Sequence, residues 1–215
     1  MYNFAIFDLD GTLLDTMKFW RMVVPIYAEI HEISDYSLSE DILKVTDSMS
    51  CEDAIVYMKK NANHPIMERF SYKDMLDVME YCYKNRAEIR KGVVPMLDTL
   101  KSKNIKMCII SATPTRLVEL ALKTAGLGDY FDFILTPDDY PSGKSSNQIF
   151  FAAAAKFGCK LSDMAIFEDS LYSMKTAKAL GMHIVAVAER YQTVERDEII
   201  KIADEFYEEF TEFKF

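Results

Sequence analysis

The 215-residue sequence predicts an α/β fold, a doubly wound parallel sheet with a four-helix bundle inserted after its first strand. Three observations predict it. Short, nearly continuous apolar runs alternate with helical stretches at the start of the chain and again after residue 90. Several of those helical stretches close on glycine. The segment between the two zones has helical periodicity and hardly any strand signal.

The strands are expected at Phe4–Leu9, Lys106–Ser111, Phe131–Leu135, Met164–Phe167 and His183–Ala188. A parallel strand covered by helices on both faces has no polar side to show, so it reads as a run rather than an alternation. The helices between them end at Gly126, Gly158 and Gly181, each where the chain needs a left-handed residue to leave a helix. Residues 16–89 carry four helical patterns, Met17–His31, Ser39–Ser48, Glu52–Asn61 and Tyr72–Ile89, with no glycine between Gly11 and Gly92. Pro65 separates the third from the fourth. The expected domains are therefore residues 1–15 with 90–215, and the helical insert 16–89.

Half the residues are apolar, and only 7 glycines and 6 prolines occur, so low-complexity and linker-rich readings are excluded. The formal charge of −9 argues against nucleic acid or an anionic membrane as partner, while a local site can still accept a small anion. Cys51, Cys82, Cys108 and Cys159 are widely spaced with no CxxC, which reads as thiols in a reducing compartment. The start MYNFAIFDLD lacks the basic opening of a signal peptide, and the longest apolar run, Ile149 to Ala155, is too short to span a bilayer. A cytoplasmic protein, monomeric or weakly dimeric, is expected.

The sharpest signal is FAIFDLDGTLLDT, residues 4–16. An apolar strand runs into Asp8, one apolar spacer, Asp10, Gly11 and Thr12. Strand alternation sends both aspartates to one side, at the carboxyl end of a parallel strand, where open α/β sheets bind ligands. Two carboxylates so close repel unless a cation lies between them or one keeps its proton. That suits a Mg²⁺ site with an acid/base group. Read alone, the same residues are also an ordinary Asp-Gly turn at a strand end.

The run resembles the first motif of the haloacid dehalogenase superfamily, DxDGT[LV] after the first strand. Partner motifs follow in order: CIISATPT (108–115) closing on Ser111, SGKSSNQIF (142–150) with Lys144, and AIFEDSLYSMKTAKALGM (165–182) with Glu168 and Asp169. Each has its own physical reading. Thr113 and Pro114 read as an N-cap and first helical residue, a helix start that points free N–H groups at an anion. Lys144 stands before a helix as a candidate phosphate neutraliser. Glu168 and Asp169 end an apolar strand and again call for a cation, although Asp169–Ser170 also reads as a plain N-cap.

The resemblance implies phosphoryl transfer through an aspartyl-phosphate. Asp8 would be the nucleophile and Asp10 the general acid/base. Mg²⁺ would be held by Asp8, the Asp10 backbone carbonyl, Asp169 and Glu168, the last directly or through water. Ser111, Ala112 and Lys144 would bind the phosphoryl group. Dehalogenase and phosphonatase members lack an acid at the position of Asp10, so this chain is expected to hydrolyse a small phosphorylated metabolite. The insert resembles the helical cap of phosphoglycolate phosphatase-like and β-phosphoglucomutase-like members, mobile about hinges near Leu14–Thr16 and Arg90–Gly92. Mutases of this type carry G-x-S-R-E-D in the insert and a histidine soon after the first motif. Here Cys51 stands at the arginine, after Ser50, and Trp20 stands at the histidine. The hydrolase reading is preferred, with a mutase as alternative and a non-enzymatic phosphoacceptor or binding protein as remote alternative. Trp20, Ser50 and Cys51 are candidate specificity residues, Trp20 being either a roof over the site or plain packing.

Overall fold

The computed structural model describes residues 2–33, 38–46, 49, 51–62, 64–191 and 195–215. The chain divides into two compact units, Met1–Asp15 with Ala87–Phe215, and Thr16–Arg86. In chain order the strands are β1 (Phe4–Phe7), β2 (Lys106–Ile110), β3 (Phe133–Leu135), β4 (Met164–Glu168), β5 (His183–Val187) and β6 (Glu205–Tyr207). The α-helices are α1 (Met17–Arg21), α2 (Val23–Ile30), α3 (Glu40–Thr46), α4 (Cys51–Asn61), α5 (Ile66–Arg69), α6 (Tyr72–Asn85), α7 (Val93–Ser102), α8 (Thr115–Ala125), α9 (Asn147–Phe157), α10 (Leu171–Ala179) and α11 (Arg196–Ile202).

The first unit is a six-stranded sheet in the order β3-β2-β1-β4-β5-β6. Every pairing is parallel. β1 lies in the middle because its residues are apolar on both faces: Ala5, Ile6 and Phe7 are fully buried. Ile6 belongs to a cluster with Cys108, Ile110, Ile166 and Ile184 from the strands and Ile149, Phe150, Met174 and Ala177 from α9 and α10. Phe7 points to the other face, where its ring stacks on Phe167 with centroids 4.3 Å apart. Helices α8 and α9 end at Gly126 and Gly158 in left-handed conformation, and α10 is followed by left-handed Gly181.

Gly92 leaves no room for a side chain against the Phe210 backbone. Its φ is +81°, and a Cβ there would lie 2.2 Å from the Phe210 carbonyl carbon. Beside it, the Arg90 guanidinium donates to the carbonyls of Gly11, Ala188 (2.8 Å) and Glu208 (3.2 Å). One side chain thus ties the turn after β1 to the segments that follow β5 and β6.

Among the described residues of the second unit every regular element is a helix, and α2 packs against α6. Met75, Val78, Met79 and Cys82 form the buried stripe of α6. A capping box starts this helix: Asp74 N–H donates to Ser71 Oγ (3.3 Å) and Ser71 N–H to Asp74 Oδ2 (2.8 Å). Among the described residues no helix is long and apolar enough to cross a membrane.

Several expected elements change. The first insert helix, expected as Met17–His31, breaks at Met22. The cause is Pro25, whose ring excludes the carbonyl of Arg21 four residues earlier. A short helix, α5, follows Pro65, so the insert has six helical segments among its described residues rather than four. The last ends at Asn85, not Ile89, because Ile89 pairs with Leu14 instead. The ladders of β1, β2 and β5 end at Phe7, Ile110 and Val187, and β3 starts at Phe133. β4 runs one residue further than expected, through Glu168, and β6 was not expected at all.

Candidate active site

All the core motifs converge on the carboxyl ends of β1, β2 and β4. Asp8 directly follows β1, and its N–H still donates to Phe167 of β4 at 3.0 Å, so its position is set by the sheet. The chain then turns at once: Leu13 and Leu14 N–H both donate to the Leu9 carbonyl, and Gly11 N–H donates to Leu14 O. Gly11 takes φ +87°, a conformation open to glycine and costly for other residues. The glycine of the D-x-D-G spelling is therefore a steric requirement of this turn.

Asp8 is 4% exposed and Lys144 is equally buried. The Lys144 ammonium donates to Asp8 Oδ1 at 2.7 Å and to Glu168 Oε2 at 2.8 Å. Glu168 Oε1 turns the other way and accepts from the N–H groups of Asp169 (3.2 Å) and Ser170 (3.1 Å), ahead of α10. Asp8, Glu168 and Asp169 each offer an oxygen such that the three lie within 4.8 Å of one another, the one such cluster among the described residues. Asp8 Oδ2 is buried without a hydrogen-bond partner.

Burial dominates the electrostatics. It pushes the Asp8 carboxyl up to about 7, with Glu168 and Asp10 adding to the rise and Lys144 opposing it. Burial also raises Asp169 well above the carboxylate range, helped by Asp8 and Glu168. For Glu168, burial acts upward, but the Lys144 charge and hydrogen bonds outweigh it and hold the group below its ordinary value. Lys144 itself, despite burial, is kept firmly protonated by Asp8 and Glu168. Three buried carboxylates thus face one ammonium. An all-oxygen set with an orphaned Asp8 oxygen has the chemistry of a hard divalent-cation site, and the residues fit Mg²⁺.

Ser111 follows β2, is 1% exposed, and accepts at Oγ from Thr113 N–H (3.0 Å). Ala112, between them, is exposed. The Asp10 carboxylate is not in the three-carboxylate cluster; its Oδ2 accepts from the Thr113 hydroxyl at 2.8 Å. Thr113 is therefore not the cap of α8, as its spelling with Pro114 suggests. Pro114 holds that position with extended ψ of 145°, and the Thr115 N–H is met by Asp138 Oδ2 at 2.9 Å. The Thr113–Asp10 and Arg90–Gly11 contacts escape sequence reading, since neither leaves a pattern beyond a common residue near a motif. Trp20 is half-buried in α1 and Cys51 opens α4, both in the helical unit. Ser50 lies outside the described residues.

Residues 5–187 match the family model described as haloacid dehalogenase-like hydrolase. The phosphorylated carbohydrates phosphatase of Thermotoga maritima is 27% identical, with 83% of this chain and 81% of that protein aligned. The β-phosphoglucomutase of Bacillus subtilis is 25% identical, covering 92% of this chain and 88% of that one. In three dimensions, a HAD hydrolase from Entamoeba histolytica superposes with a TM-score of 0.80 at 20% identity, covering 100% of this chain and 96% of its own.

Proposed function

The chain belongs to the haloacid dehalogenase-like hydrolase family, and we propose that it hydrolyses small-molecule phosphate monoesters through an aspartyl-phosphate, with Mg²⁺. The observation that carries this reading is Asp8: buried, one oxygen held by Lys144, the other without a partner, beside Glu168 and Asp169. The similarity to a phosphorylated carbohydrates phosphatase supports the substrate class.

In the first step an Asp8 oxygen bonds to phosphorus and the ester P–O bond breaks. The leaving oxygen keeps that electron pair and takes a proton from Asp10, so that an alcohol departs. In the second, Asp10, now ionised, takes a proton from water as the water oxygen bonds to phosphorus. The bond from Asp8 to phosphorus breaks, inorganic phosphate leaves, and both aspartates return to their starting states. Lys144, Ser111 Oγ–H and the Ala112 N–H hold the phosphoryl oxygens as their charge spreads. Asp8, Glu168, Asp169 and the Asp10 backbone carbonyl would hold Mg²⁺, which supplies positive charge against the buried carboxylates and the phosphoryl group. The same Asp8 chemistry serves a sugar-phosphate mutase, a second reading favoured by the similarity to β-phosphoglucomutase and opposed by Cys51 and Trp20.

The test is phosphate release from sugar and polyol phosphates, phosphoglycolate, nucleotides and pyridoxal phosphate, with and without Mg²⁺, for the wild type and Asp8→Asn. Mg²⁺-dependent release that is lost in the variant is expected. Conversion of β-glucose 1-phosphate to the 6-phosphate in the presence of a bisphosphate primer, with no release across the panel, overturns the hydrolase in favour of the mutase.

A further inference from the structure

We propose that Thr113 is a positioning residue that sets the direction of the Asp10 carboxyl group, a role that rests on Asp10 being the proton donor in the reading above. Its hydroxyl donates to Asp10 Oδ2 at 2.8 Å, across 103 residues of sequence. Thr113 is 4% exposed, so little water competes for that bond.

The backbone on either side leaves the hydroxyl little choice. Thr113 N–H is tied to Ser111 Oγ at 3.0 Å. Pro114 follows with φ −55°, the value its ring imposes. Thr115 is then anchored twice, its N–H to Asp138 Oδ2 at 2.9 Å and its Oγ1 2.7 Å from Thr136 Oγ1. Thr136 is fully buried and accepts from Asp138 N–H at 3.2 Å, which closes the anchor. The turn 111–115 is thus gripped from the Thr136–Asp138 side and presents one hydroxyl to Asp10 on the other.

An aspartate has two side-chain torsions, and a fixed bond to one oxygen sets the plane of the carboxyl group and the place of its second oxygen. Proton transfer to a leaving group depends on that placement. Its loss is selective in a way that general damage is not. An alkoxide leaving group needs the proton in order to depart, whereas 4-nitrophenolate is a weak enough base to leave without it. The parameter to compare is kcat/KM, which reports events only up to aspartyl-phosphate formation and so excludes the shared hydrolysis step.

The experiment measures kcat/KM with Mg²⁺ for the best alkyl phosphate of the panel and for 4-nitrophenyl phosphate. Wild type, Thr113→Val, Thr113→Ala and Thr113→Ser are compared, each with a thermal melt and with Asp8→Asn as the blank. Val and Ala are expected to lose about 30-fold on the alkyl phosphate and less than about 3-fold on the aryl one, while Ser, which keeps the hydroxyl, recovers the alkyl rate. Alanine carries the test should the valine variant fail to fold. Equal losses on both substrates, no loss on the alkyl phosphate, or a wild type that cleaves only the aryl ester overturns the proposal. Failure of the phosphatase reading is separate: it is seen in the wild type and Asp8→Asn before any Thr113 variant is compared.

Discussion

Lys144 Nζ lies 2.7 Å from Asp8 Oδ1, joining residues 136 positions apart where both are almost fully buried. The same ammonium holds Glu168 at 2.8 Å, so it is the counter-charge for two carboxylates. Removing it as Lys144→Met leaves Asp8, Glu168 and Asp169 facing one another without that compensation. Breaking a buried pair of this kind costs about 3–5 kcal/mol. A fall in stability of that order is expected in urea unfolding, together with loss of phosphate release. Mg²⁺ should raise the melting temperature of the variant by more than that of the wild type. An unchanged urea midpoint would show that the pair contributes nothing.

Asp8→Asn is expected to move stability in the opposite direction. In the unfolded chain Asp8 has an ordinary carboxyl, near 3.8, whereas in the fold it is pushed up to about 7. The folded state therefore holds the proton more tightly. The stability Asp8 contributes is fully present below 3.8 and is lost as pH rises through about 7. Metal-free wild type should weaken over that window relative to Asp8→Asn, which has no proton to lose there. A gap of about 1 kcal/mol or more, or about 2–4 °C in Tm for a chain of this size, is expected at pH 8 and not at pH 4. Mg²⁺ should close the gap by stabilising the wild type alone. Parallel melting curves for the two proteins from pH 4 to 8 would contradict the assignment.

Arg90 is a structural clamp on the turn after β1. Its guanidinium meets three backbone carbonyls, those of Gly11, Ala188 and Glu208. Hydrogen bonds from a charged donor contribute about 1.5–3 kcal/mol each, and they are not additive. Arg90→Ala is expected to lose at least about 3 kcal/mol. Arg90→Lys should recover only part of it, because a single ammonium cannot reproduce a planar fork. Chemical denaturation of the three proteins checks both the loss and the partial recovery.

Two glycines with similar dihedral angles should respond differently to alanine. Gly126 has φ +69° with nothing within 4 Å of its added Cβ, so only the left-handed backbone penalty of about 1–2 kcal/mol applies. Gly92 has φ +81° and a Cβ position 2.2 Å from the backbone of Phe210. Gly92→Ala must therefore also displace the chain around Phe210, and a total loss above about 3 kcal/mol is expected. Comparable urea midpoints for the two variants would place the Phe210 segment further from Gly92 than described.

The limits of sequence reading are clearest where local pattern and tertiary demand part. Apolar periodicity across Met17–His31 reads as one helix, and the structure breaks it at Met22, between α1 and α2, ahead of Pro25. β6 was not legible, because Glu205–Phe206–Tyr207 is too short and mixed to show a period. It is a strand because β5 offers it an edge: Val185, Ala186 and Val187 pair with it in register. Thr113 was legible as a helix cap, and its hydroxyl goes instead to Asp10, which arrives from the far end of the chain.

The sequence by itself determined the doubly wound class, the strand ends at which Asp8, Ser111 and Glu168 emerge, and the turn that follows Asp8. These rest on short-range chemistry: apolar runs that must be covered on both faces, and a glycine where φ must be positive. Only the tertiary structure decided that Lys144 lies between Asp8 and Glu168, that Asp8 keeps one oxygen without a partner, and that Thr113 and Arg90 bond to Asp10 and Gly11. The reason is physical. Charge pairing and proton affinity in a buried site depend on distance and desolvation among groups that share no local pattern, and both exist only once the sheet has brought its strand ends together.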